Sequence, residues 1–272
     1  MQNEHFWQAK EGLPSVNADE LFHVGPLTIA NSTMFTFLAI FLFLIVIAYA
    51  RKFKIVPNSF QHLMEMFYEA LLSLVTQIVG NKKRAEKIMP VVGSIFTYIL
   101  LSNLLMMVPG LSSITYNIDG EAVPLFRGGT ADFNTTFGLA FASVLVIQYI
   151  GVRERGALGH LGHFIQVKEI AHAFTGKKSF GKRVGEFGNG LIHFFVGLIE
   201  IVGEFAKIIS LSLRLFGNMF AHEILTIIIM GSFAILVPVI WMGMGLIVGI
   251  VQAIVFTSLI TVYYSLVLKD SH

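Results

Sequence analysis

The chain contains no cysteine, which excludes disulfides, thiolate metal sites and cysteine nucleophiles from the outset. Charge is scarce too: Asp, Glu, Lys and Arg make up 13% of the residues, well below the usual globular share. The net charge of +2 is too small to point to nucleic acid. No phosphate-cradling GxxxxGK[ST] stretch occurs, so the chain is expected to hold no ATP by itself. The first thirty residues have no basic stretch before an apolar run, only Lys10 against Glu4, Glu11, Asp19 and Glu20, and read as a retained tail rather than a signal peptide.

What is present is apolar. Hydrophobic residues reach 55% of 272, with 25 Phe, 25 Gly and 11 Met, and the mean hydropathy is +0.73. A soluble core of this size could not hide so much apolar surface, whereas lipid-facing Phe and close glycine contacts between helices suit a membrane. The reading is an all-α polytopic membrane protein, one membrane domain over residues 1–272, with about five transmembrane helices and one interfacial amphipathic helix.

Met34–Ala50 is an uncharged run near the shortest length that crosses ~30 Å of hydrocarbon. Met89–Val108 is a second span, stopped by Pro109 and Gly110, and Phe133–Val152 a third. Arg51, Lys52 and Lys54 follow the first span, Lys82, Lys83, Arg84 and Lys87 precede the second, and Arg153 and Arg155 follow the third. Basic flanks mark the cytoplasmic side. This places the N-terminal tail (1–32) and the loop 109–132 outside, and the loop 153–190 inside. Between the first two spans, Phe60, Leu63, Met64, Phe67, Leu71, Leu74, Val75 and Ile78 recur at helical spacing opposite His62, Glu65, Glu69 and Ser73. With Pro57, Asn58 and Ser59 as start signal, residues 58–79 form an amphipathic helix that suits the cytoplasmic interface or another subunit's soluble part.

Apolar sequence then continues over 191–230 and 233–268, each longer than one perpendicular crossing. Forty helical residues reach ~60 Å, about twice the hydrocarbon thickness, so these helices must tilt, lie along the membrane or break. Gly231 and Ser232 supply the turn, and the end 269–272 returns to the cytoplasm. Along the first of them, Glu200, Glu204, Lys207, Ser210, Arg214, Asn218, His222 and Glu223 are mostly three or four apart and fall mostly on one side. A charge in the bilayer costs from a few to over ten kcal/mol. An internal salt bridge to Glu204 or Glu200 accounts for Lys207, but Arg214 has no acid within one turn and calls for water or a charged partner. In an antiparallel hairpin turning at 232–234, facing positions sum to roughly 466 by counting back from the turn. That sets Gln252 opposite Arg214, and Gly245 opposite His222. Gly245 and Gly249 also make a GxxxG helix-packing face.

"LSLRLFGNMFAHE" together with "VQAIVFTSLITVYYSL" resembles subunit a of the bacterial F-type ATP synthase, and the similarity extends more loosely through "GLIEIVGEFAK", "LLSNLLMMVPG" and "TADFNTTFGLAF". By position, Arg214 takes the place of that family's essential arginine, Asn218 and Gln252 its polar neighbours, and Glu223 and Glu200 the acids of its two half-channels. Many members carry a small residue at the place of His222 and a histidine at that of Gly245; here the pair is exchanged, which the hairpin arithmetic makes sterically sensible. The resemblance implies a non-catalytic subunit of a proton-transporting synthase in the bacterial plasma membrane. Its partners would be the c-ring, the subunit b stalk, the remaining synthase subunits and lipid. No cofactor is implied. Protons would pass by an outer half-channel lined by Glu223, His222 and Asp132 and an inner one at Glu200, with Ser210 near the arginine.

Other classes fit less well. A secondary transporter or similar ion-pathway protein would bury such charges, but internal repeats are not evident. A hydrolase pairing Ser210 with His222 would need proton transfer over about 18 Å. A scaffold would leave Arg214 replaceable. His160, His163 and His172 in the 153–190 loop read as part of a solvated basic loop rather than a metal site.

Overall fold

In a computed structural model, residues 18–24, 27–50, 57–108, 110–111, 114–118, 121–156, 180–232 and 236–269 are described. In chain order they form β1 (Glu20–Val24), β2 (Leu27–Ala30), α1 (Asn31–Ala50), α2 (Ser59–Val79), α3 (Lys82–Met106), β3 (Thr115–Ile118), β4 (Glu121–Pro124), a short 3-10 turn (Gly129–Ala131), α4 (Phe133–Arg155), α5 (Phe180–Ser232) and α6 (Leu236–Lys269). Among the described residues, four helices are long and apolar enough to cross a membrane, namely α1, α3, α4 and α6. The 53-residue α5 carries the charged stripe.

The helix ends follow local chemistry. Asn58 caps α2 by accepting the Gln61 amide, and Gly80, at φ 74°, closes it in the left-handed region where a Cβ is strained. Asn81 then caps α3 through the Lys83 and Arg84 amides. The amphipathic helix expected at 58–79 is found at Ser59–Val79, where Leu71 and Val75 enter the core while Phe60, Leu63, Met66 and Phe67 stay exposed.

Three expected boundaries move. The second span begins at Lys82 rather than 89, because its basic residues form the first turns of α3. The long helix begins at Phe180 rather than 191, so eleven residues assigned to the loop are helical despite their glycines. The turn expected at Gly231 and Ser232 is not there, since both belong to α5. Two antiparallel hairpins, β1–β2 and β3–β4, were not anticipated. The loop histidines 160, 163 and 172 lie outside the described residues.

α5 packs on α4 and α6, while α6 also packs on α2, α3 and α4. Their shared core holds Ile88, Val92, Ile99, Ile147, Leu215, Met219, Phe256, Ile260 and Tyr264. One rim of the bundle gathers the start of α1, the 3-10 turn and the start of α4. There Asn31 Nδ2 donates to Asp19 Oδ2 at 3.1 Å, and Ser32 Oγ donates to Asp132 Oδ2 at 2.9 Å. Asp132 also caps α4 through the Asn134 amide at 3.2 Å and accepts from Thr135 Oγ1 at 3.1 Å. On the opposite rim Lys87 at the start of α3 pairs with Glu154 at the end of α4.

Asp132 therefore joins two helix starts. Asp132→Ala is expected to destabilise the subunit by about 2 kcal/mol, roughly a lost cap plus orphaned buried donors. Asp132→Asn, which can still cap, should lose less than half of that. Thermal unfolding of both variants in detergent checks the order.

Candidate functional site

The polar stripe of α5 divides between two surroundings. Ser210 and Asn218 are exposed and Arg214 is half-buried, set among the outward Ile209 and Leu213. No carboxylate of the described residues lies within ion-pairing distance of Arg214. Lys207, by contrast, pairs with Glu204 one turn away, one of the two partners the sequence suggested, and lies over the Tyr263 ring at 5.1 Å.

The hairpin arithmetic holds closely at one of its two positions. A Cβ added to Gly245 would lie 2.0 Å from Nε2 of His222, so the imidazole occupies the space a side chain there would fill. Gln252 does not reach its expected partner Arg214. It accepts from Asn218 Nδ2 at 2.8 Å, and 218 lies one turn along the helix. The amide nitrogen of Gln252 is buried with no partner among the described residues, a donor left for water or an acid. The glycines of the GxxxG face meet different helices: a Cβ at Gly249 would come 3.0 Å from Asn103 Cβ on α3, whose Nδ2 donates to the Gly249 carbonyl at 3.0 Å.

His222 is buried and stacked on Trp241, with ring centroids 5.4 Å apart. Thr226 holds the ring in place. The Thr226 hydroxyl gives its proton to the His222 carbonyl at 2.7 Å and accepts from Trp241 Nε1 at 3.0 Å. The same hydroxyl stands 3.4 Å from Nδ1 of His222, where the ring's tautomer sets which group donates. Nε2 is buried, with no hydrogen-bond partner among the described residues, and faces Gly245.

Glu223 follows His222 at once but points elsewhere, because one residue turns a helix by about 100°. Its carboxylate meets Arg127, a residue the sequence reading passed over: Arg127 Nε lies 3.3 Å from Oε1 and 3.4 Å from Oε2. The Arg127 side chain is 2% exposed and that of Glu223 18%, so the pair is dry on one side and open on the other. The guanidinium also stands 5.8 Å from the Phe220 ring centroid. The available signal was that Arg127 is the only basic residue of the 109–132 loop. Asp132, expected to line the outer half-channel with Glu223 and His222, accepts from Ser32, Thr135 and the Asn134 amide at the α4 cap. Glu200 sits half-buried on α5, fourteen positions before Arg214, or about 21 Å along the axis. Among the described residues, no group of three or more His, Asp or Glu is placed to hold a metal.

A sequence profile of the family described as ATP synthase A chain matches residues 32–265, nearly the whole of this arrangement. The chain belongs to that family. Among similar curated proteins, ATP synthase subunit a of Moorella thermoacetica is 30% identical over 246 residues, covering 90% of this chain and 93% of the relative. The subunit a of Desulforamulus reducens is 33% identical over 258 residues, covering 91% and 83%. That of Geotalea daltonii is 32% identical over 244 residues, covering 89% and 90%. Family membership and the four apolar helices make this chain a membrane-embedded, non-catalytic ATP synthase subunit.

Proposed function

We propose that the chain conducts protons along two offset half-channels at its contact with a ring of c subunits, and so couples proton flow to ATP synthesis. The observation that carries this reading is Arg214, a cation on an outward apolar face with no acid partner among the described residues. Such a charge needs a partner that supplies carboxylates. Arg stays protonated where a buried Lys would not. It can therefore draw a rotor acid into its ionised form and yet never pass a proton itself.

The contact must also be weak. Each proton gains ~2.3 kcal/mol per 100 mV, so an ion pair deeper than a few kcal/mol would stall the ring. Asn218, Gln252 and Ser210 supply polar groups around Arg214 that keep the pair hydrated. Glu223 and His222 belong to the outer half-channel, with Asp132 shaping its wall, and Glu200 to the inner one. The basic rim at Lys82–Lys87 and Arg153 faces the cytoplasm of the bacterial plasma membrane, the N-terminus lies outside, and subunit b is a further partner.

The absence of cysteine gives a direct test. Glu223→Cys and Glu200→Cys are made singly in the assembled complex and treated with a charged, membrane-impermeant thiol reagent from one side of sealed vesicles. Labelling of the two from opposite sides is expected; labelling of both from one side would overturn the two-channel reading.

A further inference from the structure

The Arg127–Glu223 pair joins residues 96 positions apart, and neither the stripe on α5 nor the gate at Arg214 explains it. A fully buried guanidinium is unfavourable unless a carboxylate and a fixed backbone hold it. Both are present. Arg127 stands between β4 and the 3-10 turn, next to two glycines that let the loop lie flat against other helices. A Cβ at Gly128 would come 2.6 Å from Met106 Sδ, and one at Gly129 2.7 Å from Thr36 Oγ1. One residue further on, Thr130 Oγ1 donates to Asn103 Oδ1 at 3.0 Å, and Asn103 in turn holds the Gly249 carbonyl of α6. The loop is thus tied to α1, α3 and α6, and through Arg127 to α5.

We infer that Arg127 is a positioning residue for proton uptake: a fixed counter-ion that aims the Glu223 carboxylate and sets the pH range over which it exchanges protons with water on its exposed side. This rests on the reading of Glu223 as a site of the outer half-channel. Among the described residues, the charged groups acting on Glu223 are Arg127 from the loop and Asp19 from the segment before β1, with His222 adjacent on α5. Of these only Arg127 is both cationic at all working pH values and in contact with the carboxylate. Its role differs from that of Arg214, which has no acid of its own among the described residues.

The test is ATP-driven proton pumping against pH in vesicles carrying the whole complex, with Arg127→Gln, Arg127→Lys, Glu223→Gln and the double Arg127→Gln/Glu223→Gln. Arg127→Gln should lower pumping about tenfold and displace the pH profile upward by about one unit, since a lost cation favours the protonated acid. Arg127→Lys, which keeps the charge, should return the profile most of the way. The double variant should pump no worse than Glu223→Gln alone, because Arg127 acts through Glu223. An undisplaced profile in Arg127→Gln, or full addition of the two losses, would overturn the inference while Glu223→Gln still upheld the half-channel. Parent-like pumping by Glu223→Gln would instead sink the half-channel reading and the inference with it. If Arg127→Gln fails to assemble, assembly of the double variant supports the pairing, since the neutral pair leaves no buried charge behind, and its failure overturns it.

Discussion

Arg214→Ala is expected to reduce ATP-driven proton pumping at least about a hundredfold while the complex assembles in normal amount. The size follows from what is lost: a charge-assisted contact to a rotor acid contributes about 3 kcal/mol, or two powers of ten. Assembly should survive because Arg214 makes no ion pair within the described residues and lies on an outward face, so the bundle leaves no partner orphaned. Arg214→Lys should also pump poorly, since an ammonium in apolar surroundings can release its proton and its charge together. Pumping in vesicles, normalised to the amount of purified complex, checks both.

The second large effect concerns two residues sharing one space. Gly245→His alone would set a Cβ 2.0 Å from Nε2 of His222 and 2.6 Å from its Cε1, and the His222 ring, stacked on Trp241 and tied to Thr226, has little freedom to withdraw. Overpacking of this kind costs about 1–3 kcal/mol and drives a side chain off its rotamer. Pumping should fall about tenfold or more. His222→Gly alone opens a void and removes the buried imidazole, with a comparable loss. The double variant His222→Gly/Gly245→His returns one imidazole to the same space from the opposite helix, and should recover a third or more of the parent's pumping. No recovery would separate the imidazole from proton transfer. Parent-like pumping by Gly245→His alone would contradict the packing itself.

The pairing of 222 with 245 was legible before any coordinates because an antiparallel helix pair keeps a constant sum, and both long apolar runs could be read from composition. Capping residues likewise announced their helices: Asn58 before α2 and Asp132 before α4 each stand where the chain needs an acceptor for free amides. Asp132 also carries a role that position alone did not show. Its place in a family motif suggested a pathway residue, while its oxygens are engaged in holding α1 to α4.

Gln252, set opposite Arg214 by counting, bonds Asn218 one turn away. The sum rule fixes which backbone positions face each other only to within about a turn, and a long amide side chain can bond a residue one turn away, here Asn218. The face of Glu223 was lost by grouping it with His222, although consecutive helical residues point about 100° apart. Arg127 was invisible for a deeper reason. Its partner lies 96 residues away, and only the close approach of Gly128 and Gly129 to α3 and α1 brings the loop over α5. Such long-range placement leaves no periodic trace in the chain. The glycines at the start of α5 misled in the opposite direction, since packing and hydrogen bonding can hold helical a stretch whose propensity favours a loop.

The claim on which the account turns is that Arg214 is a fixed barrier between two proton paths. Passive proton flux driven by an imposed potential, in vesicles whose ATP-hydrolysing part has been removed, tests it most directly with Arg214→Ala beside the parent, ATP-driven pumping being read in matched vesicles that keep that part. The account predicts that flux persists or rises in the variant while ATP-driven pumping is gone, because protons cross without turning the rotor. Unchanged pumping, with passive flux equal to the parent's, would contradict it and leave Arg214 a structural residue.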